Sequence, residues 1–359
     1  MGGEYVLKNL SYKVIGLMSG TSLDGLDLAY CHIGRNEGNW SFDFIETKAV
    51  NYDASWRESL KNTIYLDSLN LLALDVSYGQ FLGEQVRDFI NDIDACPDLI
   101  ASHGHTVFHQ PEKGFTRQIG SGQEIANVTG FKTISDFRSK DVSLGGQGAP
   151  LVPIGDHNFF GEYDACLNLG GIANVSYDSN GVRLAMDICA SNMLLNCLME
   201  EIGKMFDDNG SMARSGKVIP EMLESLNALA YLTIPGPKST GVEWFNQEIV
   251  AILKRFSGEG LEDRLHTSVE HMAMQIAKVS QSFSSMLVTG GGAKNGFLME
   301  RIAHHLGFEP NIPVEQVVDF KEALVFALMG VLRNENETNC FHSVTGAKYD
   351  SSGGVVYLP

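Results

Sequence analysis

The chain has 359 residues, of which 44% are apolar and 19% are charged, and its formal net charge is −18. This length favours two domains over one, and the composition is that of a globular protein with a large core. The acidic excess argues against a nucleic-acid partner, because binding to a phosphate backbone depends on Lys and Arg. A single nucleotide stays compatible with this charge, since backbone amides and a metal ion can hold one phosphate chain.

The sequence gives no signal for a membrane or for an oxidising compartment. No signal-peptide-like apolar segment precedes the polar stretch at 19–27, and no apolar run reaches the ~20 residues of a membrane span. The six cysteines are scattered without a C-x-x-C pair, which is typical of reduced thiols. We therefore expect a cytoplasmic protein with a small-molecule substrate and no nucleic-acid or membrane partner. The oligomeric state is left open, with a homodimer as one candidate.

The predicted strands form a meander that occurs twice. Strands are predicted over 12–18, 26–33 and 40–50, and a glycine-containing turn at 19–25 joins the first two. The pattern returns with strands at 164–169, 172–177 and 182–187, joined by turns at 170–171 and 178–181. This internal repeat indicates two similar units.

Helices are predicted where apolar residues recur at helical spacing. They cover 69–92, 193–202, 267–283, 295–306 and 321–332, with further strands at 285–289 and 354–358. For the third helix, Thr267 followed by Glu270 is interpreted as an N-terminal cap. Strands alternating with helices predict an α/β fold with mixed sheets. We place an N-terminal lobe at 1–135, with the tail from about 340 to 359 returning to it, and a C-terminal lobe at 136–339.

Three glycine-rich turns have the composition of nucleotide-binding turns. The segment Ser19-Gly-Thr-Ser-Leu-Asp-Gly-Leu-Asp27 combines glycines with hydroxyl donors, and its carboxylates suit Mg²⁺ placed between protein and phosphate. Gly290-Gly-Gly-Ala-Lys-Asn295 follows an apolar strand and opens a helix, where backbone amides bind anions. Asn168-Leu-Gly-Gly-Ile-Ala-Asn174 is a hairpin. Each segment alone also fits an ordinary turn, but the three together favour a nucleotide site.

Polar side chains follow several predicted strands. Ser102-His-Gly-His-Thr-Val-Phe-His109 has three histidines without a neighbouring carboxylate, so contact with a polar ligand is favoured over a metal site. Arg138 suits a substrate carboxylate through its planar fork, with a buried Asp/Arg pair as the alternative. Asp187 ends a strand, where a carboxylate can act as a general base, with a helix N-cap as the alternative.

Taken in order, these motifs resemble the anhydro-N-acetylmuramic acid kinase family. The resemblance rests on the segments at 16–27, 102–106, 135–141, 145–153, 168–174, 237–243, 290–295, 322–323 and 345–347. It implies a two-lobed fold of the actin, sugar kinase and Hsp70 (ribonuclease H-like) type, with duplicated mixed sheets and ATP in the cleft. It also implies that ATP and water convert 1,6-anhydro-N-acetylmuramate to N-acetylmuramate 6-phosphate, with cleavage of the anhydro bridge, in peptidoglycan recycling.

The resemblance also implies roles for individual residues. Asp187 is expected as the general base, and Asp24 is expected to bind Mg²⁺ directly or through water. The sugar is expected to contact His103, Arg138 and Glu322. ATP is expected to bind the three turns through Gly20, Thr21, Ser22, Asp24, Gly25, Asp27, Asn168, Gly170, Gly171, Gly290, Gly291, Gly292 and Asn295.

Two segments depart from the family pattern. The family usually has Asp-Thr-Gly-Pro-Gly-Asn where this chain has Asp187-Ile-Cys-Ala-Ser-Asn192, and Gln where it has His105. Cys189 is expected to be packed rather than nucleophilic, since its motif has no His or Lys to lower its pKa. We expect a divergent kinase. The alternatives are a nucleotide- or sugar-binding regulator with weakened catalysis, a kinase for another anhydro-sugar, and a glycoside hydrolase that uses Asp136 and Asp187.

Overall fold

The computed structural model describes residues 8–20, 23, 25–236 and 238–359. The strands of this part of the chain are β1 Leu10–Ser19, β2 Gly25–Asn36, β3 Asn39–Asn51, β4 Leu99–Ser102, β5 His105–Gln110, β6 Phe115–Ile119, β7 Thr133–Ser135, β8 Ala165–Leu169, β9 Ile172–Ser179, β10 Val182–Ala190, β11 Met286–Thr289 and β12 Val355–Tyr357.

The helices of the same residues include one turn of π-helix, Phe245–Ile249, between α9 and α10. They are α1 Ala54–Lys61, α2 Ser68–Ile93, α3 Gly122–Thr129, α4 Ser139–Ser143, α5 Pro153–Phe159, α6 Asn192–Met199, α7 Ser211–Ser215, α8 Pro220–Asn227, α9 Val242–Trp244, α10 Val250–Arg255, α11 Leu261–Val279, α12 Gly296–Leu306, α13 Glu315–Asn334 and α14 His342–Thr345. In these described residues, no helix combines the length and the apolar character that crossing a membrane requires.

The chain divides into two compact units. The first unit comprises residues 1–159 and 320–359, and the second comprises 160–319. The division therefore falls later than the boundary expected at residue 135, and the return to the first unit begins earlier than the expected residue 340. The physical reason is that α5 packs on β3 and that the apolar second half of α13 packs on β1.

The first unit is built on a six-stranded mixed sheet in the order β12-β7-β4-β1-β2-β3. Strands β1, β2 and β3 form the predicted antiparallel meander, and β4 then pairs with β1 in parallel. Alternating apolar residues such as Ile15, Leu17 and Leu28 pack beneath α2, which contributes Tyr78 and Phe89 to the same core.

The second unit repeats this construction in a four-stranded sheet with the order β10-β9-β8-β11. Strands β8, β9 and β10 are antiparallel, and β11 pairs with β8 in parallel. Its core joins residues of the sheet, such as Leu167 and Val175, to residues of α6, α11 and α12. Two mixed sheets of the same construction confirm the predicted duplicated α/β class.

One predicted cap is wrong. Helix α11 begins at Leu261 with Gly260 as its N-cap, so Thr267 lies well inside the helix. The Thr267 side chain is buried and donates from Oγ1 to the carbonyl of Asp263 at 2.6 Å. Glu262 and Asp263 in the first turn suit the positive end of the helix dipole, which explains the earlier start.

We predict that Gly16→Ala strongly destabilises the first unit. A Cβ at Gly16 would lie 1.9 Å from the carbonyl oxygen of Ala323 in α13, so the helix would have to move away from β1. We expect a loss of about 3 kcal/mol in the free energy of unfolding, measured by urea denaturation. Gly258→Ala is the control, because a Cβ at that position would have open space within 4 Å. Equal stability of the two variants would contradict this packing.

Candidate active site

Parallel strand pairing in the first unit brings three sequence motifs to one edge of the sheet. Leu17 of β1 pairs with Ser102 of β4, and Ser102 pairs with Ser135 of β7. The residues that follow these strands are Gly20, His103 and Asp136. The carboxyl ends of parallel strands are the usual ligand-binding edge of an α/β sheet. The topology therefore places Gly20, the histidine motif and the Asp-Phe-Arg motif together.

Arg138 and His103 are held in direct contact at this edge. The Arg138 guanidinium approaches His103 Nε2 with Nε at 3.0 Å and Nη2 at 2.9 Å, and it donates from Nη1 to the carbonyl of Gly148 at 2.6 Å. Burial and the neighbouring Arg138 charge hold the pKa of His103 well below its usual range. The imidazole is therefore neutral at physiological pH, and its Nε2 accepts from the guanidinium.

Glu322 supplies the opposite charge near this pair. Burial raises the pKa of Glu322, while the charges of Arg138 and Lys321 act in the opposite direction. Burial also lowers the pKa of Arg138 to about 10, against the effect of Glu322. Lys321 itself forms a buried ion pair with Asp156, with Nζ and Oδ1 2.6 Å apart. The three predicted sugar-binding residues thus form one electrostatically linked group in the first unit.

Ser19, which precedes the first glycine turn at the end of β1, belongs to a group of buried hydroxyls. Tyr52 donates to Ser19 Oγ at 2.8 Å, and its oxygen lies 2.6 Å from that of Tyr78. Gly25 begins β2 against Val50, and Asp27 lies opposite Met18 in the hairpin. The predicted ligands Thr21, Ser22 and Asp24 lie outside the described residues. The other two histidines of the motif contact the protein, His105 with the Tyr78 ring and His109 with Thr116.

Asp187 lies at a β-bulge in the second unit. It pairs with Asn174 of β9, and the next pair along the strands is Cys189 with Ala173, so Ile188 is the extra residue. A bulge of this kind bends the strand and redirects the neighbouring side chains. Asp187 is part of β10, and the N-cap position of the next helix is Ser191, whose side chain makes no capping hydrogen bond, so the N-cap alternative for Asp187 is wrong.

A following loop holds Asp187 at three atoms. Asp187 N–H donates to the carbonyl of Lys238 at 2.9 Å, its carbonyl accepts from Tyr231 OH at 3.0 Å, and its Oδ2 accepts from Thr240 N–H at 2.9 Å. Within the described part of the chain Oδ1 has no donor, so that oxygen can accept from a water molecule. Burial raises the pKa of Asp187, and the Thr240 amide opposes the shift.

The loop that departs from the family pattern is tied to the second glycine turn. The backbone N–H groups of Ser191 and Asn192 donate to the carbonyls of Gly171 and Gly170 at 2.9 and 3.1 Å. The Asn192 side chain donates to the carbonyl of Leu169 at 2.9 Å. Burial raises the pKa of Cys189 to about 12, which agrees with a packed thiol. Although this loop lacks the two glycines and the proline of the family pattern, it is still hydrogen-bonded to the hairpin.

The third glycine turn packs on the second. A Cβ at Gly290 would lie 2.5 Å from Asn168 Oδ1, and one at Gly292 would lie 2.6 Å from Leu169 Cβ. Asn295 caps α12 by accepting from Leu298 N–H at 3.0 Å. Beside this turn lies a cavity of about 420 Å³. Its lining residues are Asn192, Leu195, Asn196, Phe206, Asp207, Asp208, Asn209, Gly291, Gly292, Lys294 and Asn295.

Sequence reasoning missed several residues of these arrangements. Tyr231 lies in the largely apolar segment at 229–234, and Phe206 directly precedes Asp207-Asp208-Asn209-Gly210, a polar segment to which no role was assigned. Lys238 and Thr240 belong to Lys238-Ser-Thr-Gly241, which contributed to the family resemblance but received no role. Their hydrogen bonds to Asp187, like that of Tyr231, join residues more than 40 positions apart in the sequence, so only the fold reveals these contacts.

Comparisons with known proteins agree with the resemblance. The family model for anhydro-N-acetylmuramic acid kinase matches residues 12–359. The kinase of that name from Aliivibrio fischeri is 35% identical, covering 96% of this chain and 99% of the relative. Its counterpart from Coxiella burnetii is 34% identical, covering 96% and 97%. A crystal structure of gluconate kinase from Lactobacillus acidophilus gives a TM-score of 0.46 at 11% identity, covering 98% of this chain and 94% of that one.

We predict that Tyr231→Phe lowers kcat about tenfold without moving the acid limb of the pH profile. The variant loses the hydrogen bond to the Asp187 carbonyl but keeps the carboxylate and its Thr240 partner, so position changes while the pKa does not. Tyr177→Phe is the control, because Tyr177 packs on Phe283 in the same unit. Full activity of Tyr231→Phe, or a shifted acid limb, would refute the prediction that Tyr231 positions Asp187 without setting its pKa.

Proposed function

The chain belongs to the anhydro-N-acetylmuramic acid kinase family, and from this premise we propose that it converts 1,6-anhydro-N-acetylmuramate, ATP and water to N-acetylmuramate 6-phosphate and ADP. This reaction belongs to peptidoglycan recycling, and we place it in the cytoplasm. The observation that carries the proposal is Asp187, a partly buried carboxylate fixed at three atoms with one oxygen left for water.

Asp187 is the proposed general base. An anhydro-sugar has no free O6 hydroxyl, so phosphorylation at O6 requires cleavage of the C1–O6 bond. Water forms the new bond to C1, its proton passes to Asp187 Oδ1, and the electron pair of the breaking bond stays on O6. As charge develops on O6, this oxygen bonds to the γ-phosphorus in the same transition state, and the bond from that phosphorus to the β-phosphate oxygen breaks to release ADP. The raised pKa of Asp187 favours its acceptance of the proton.

The sugar is assigned to His103, Arg138 and Glu322. The neutral imidazole and the guanidinium hold each other in place, so the remaining N–H groups of Arg138 point in a fixed direction. A guanidinium in such a setting suits the lactyl carboxylate of the substrate. Glu322 is partly buried with a raised pKa, and it can accept from a sugar hydroxyl.

The phosphate chain of ATP is assigned to the glycine turns. Gly20, Gly25 and Asp27 of the first turn, and Asn168, Gly170 and Gly171 of the second, offer backbone and polar groups at the ends of β-hairpins. On the basis of the sequence, ATP is also assigned to Thr21, Ser22 and Asp24 of the first turn. We propose that Mg²⁺ binds together with ATP, with Asp24 contacting it directly or through water, and that it neutralises phosphate charge.

We predict that Asp187→Asn abolishes both ring opening and ADP release, because the two events share one transition state. In the wild-type enzyme kcat/KM should fall at low pH, as protonation of Asp187 removes the base. The midpoint should lie above the ~3.9 of an unperturbed Asp, since burial raises this pKa. A coupled assay and anomer-resolved NMR measure the two events. ADP release by a folded Asp187→Asn protein would overturn the assignment.

We predict a single displacement at C1 by water. The bridge oxygen occupies the β face, so attack from the opposite face should give the α-anomer first. In ¹⁸O-water the label should appear at C1 and be absent from the phosphate, as mass spectrometry of the product can determine. A β-anomer formed first, or label in the phosphate, would exclude this mechanism.

We predict that Arg138→Lys raises KM for the sugar about tenfold and leaves KM for ATP within about twofold. Lysine keeps the charge but cannot contact both His103 Nε2 and the Gly148 carbonyl as the planar fork does. Initial-rate kinetics with each substrate varied in turn measure both constants. Arg87→Lys on the exposed face of α2 is the control. A change confined to the ATP constant would place Arg138 among the nucleotide-binding residues.

We predict that turnover needs a divalent cation and that Asp24→Asn lowers kcat about 10²-fold, as expected when a group that positions charge is lost. Activity should disappear with EDTA and return with Mg²⁺. Asp43→Asn, which removes an exposed carboxylate on β3, should have no effect. Near-normal turnover of Asp24→Asn at saturating Mg²⁺-ATP would remove this residue from the site.

A further inference from the structure

Two segments that contribute to the family resemblance lie side by side in the first unit, at 145–148 and 345–347. Gln147 N–H donates to the carbonyl of Thr345 at 2.8 Å. Neither segment contains a residue assigned to the sugar, to ATP or to proton transfer. Both, however, donate hydrogen bonds to the side chain of Asp141, which lies in α4 shortly after the Asp-Phe-Arg motif.

The Asp141 carboxylate is buried, with Asp141 only 1% exposed. Its Oδ2 accepts from Gly148 N–H at 2.7 Å, and its Oδ1 accepts from Thr345 Oγ1 at 2.7 Å and from Cys340 Sγ at 3.2 Å. A Cβ at Gly146 would lie 2.2 Å from Oδ2, so the loop can pass this close to the carboxylate only with glycine at 146. A buried carboxylate stays where its donors reach it, because a buried polar group without hydrogen bonds is costly.

Gly148 links this carboxylate to the guanidinium of Arg138. Its N–H donates to Asp141, and its carbonyl accepts from Arg138 Nη1 at 2.6 Å. Gly148 has a φ of +68°, and a Cβ there would lie 2.7 Å from Val142 Cγ2, so this conformation requires glycine. The guanidinium also contacts His103 Nε2 through Nε and Nη2. Its orientation is therefore fixed by Gly148 at one nitrogen and by His103 at the other two.

We propose that Asp141 is a positioning residue for the sugar and that Thr345, in the C-terminal segment, holds Asp141 in place. Asp141 acts on the substrate through Gly148 and Arg138. A carboxylate on the sugar must meet two N–H groups of the guanidinium at once, so a small rotation of Arg138 weakens this contact. The contact exists before and during the reaction, so weakening it raises KM and leaves kcat nearly unchanged. The inference rests on the proposed function, which assigns the sugar to Arg138.

Initial-rate kinetics on the full-length protein test this series of contacts. Asp141→Ala removes the acceptor for Gly148 N–H and should raise KM for the sugar about tenfold, with kcat and KM for ATP within about twofold. Asp141→Asn keeps an oxygen for that N–H, so its KM for the sugar should stay within about threefold of wild type. Thr345→Val is the milder variant and carries the test if Asp141→Ala does not fold. It should raise KM for the sugar about threefold, and Thr345→Ser should restore the wild-type value.

Thr63→Val is the matched control for Thr345→Val. Thr63 is also buried in the first unit, and its hydroxyl donates to the carbonyl of Leu60 at 2.8 Å. Both variants lose one buried hydroxyl, so both should lose stability, but only Thr345→Val should raise KM for the sugar. An equal rise in the two variants would show that lost stability is the cause and would overturn the inference.

A double-mutant cycle tests whether Asp141 acts through Arg138. Arg138→Lys alone raises KM for the sugar, because lysine cannot use both the His103 and the Gly148 contact. Asp141→Ala in the Arg138→Lys protein should then raise KM by less than about twofold more, since the linked contact is already lost. Multiplication of the two single effects would show that Asp141 acts by another route and would overturn the inference.

A measurement without sugar separates the inference from the proposed function. In protein labelled with ¹⁵N-histidine, the imidazole resonances of His103 report its contact with Arg138. Asp141→Ala and Thr345→Val should shift these resonances, and Thr63→Val should not. Shifted resonances in a protein that does not turn over the sugar would support the positioning of Arg138 and overturn the proposed function. Unshifted resonances, or a wild-type KM for the sugar in both variants, would overturn the inference alone.

Discussion

In each unit a later strand pairs in parallel with the first strand of an antiparallel meander, and this pairing decides which residues can act together. Without β4 beside β1, the first glycine turn and His103 would end at different edges of the sheet. Without β11 beside β8, Gly290 could not pack on Asn168. The meanders are local and form from neighbouring sequence, whereas the parallel pairs join segments more than 80 residues apart. Within each unit, the grouping of the candidate residues therefore follows from long-range strand pairing.

Burial then sets the electrostatic character of the grouped residues. In the first unit a neutral imidazole, a guanidinium and a carboxyl group with a raised pKa lie together, and Lys321 is already paired with Asp156. In the second unit the shift at Asp187 has the sign that a general base needs, and backbone contacts fix its position. Removing one partner of either arrangement would leave a buried polar group without a hydrogen bond. The free energy lost in this way exceeds the net stabilisation that the hydrogen bond provides. The same contacts thus stabilise the units and orient the reactive groups.

The sequence predicted those secondary-structure elements that depend on patterns within a few neighbouring residues. Both meanders, the hairpin turn at 170–171 and the helix after Asn295 follow from alternation, glycines and caps, and the structure has them. It failed at Thr267, where a correct capping pattern lay inside a longer amphipathic helix that begins at Leu261. The sequence did not indicate a role for Tyr231. A tyrosine can be a core residue or a hydrogen-bond donor, and which one it is depends on a partner that only the folded structure brings near. The motifs identified Asp187, and the structure supplied the bulge and the three contacts around it.

The altered loop after Asp187 illustrates how a site can tolerate sequence change. Glycine is required where a backbone has a positive φ or where a Cβ would collide with another atom. The loop at 188–191 instead places Ile188, Cys189 and Ala190 in buried positions of β10, and the bulge takes up the change in direction. Its hydrogen bonds reach the Gly170 and Gly171 carbonyls through backbone N–H groups, which any residue except proline provides. With other residues in place of the family's glycines and proline, Asp187 and Asn192 are still hydrogen-bonded. The position of the Asp187 carboxylate therefore depends on backbone pairing and on its contacts with Tyr231, Lys238 and Thr240.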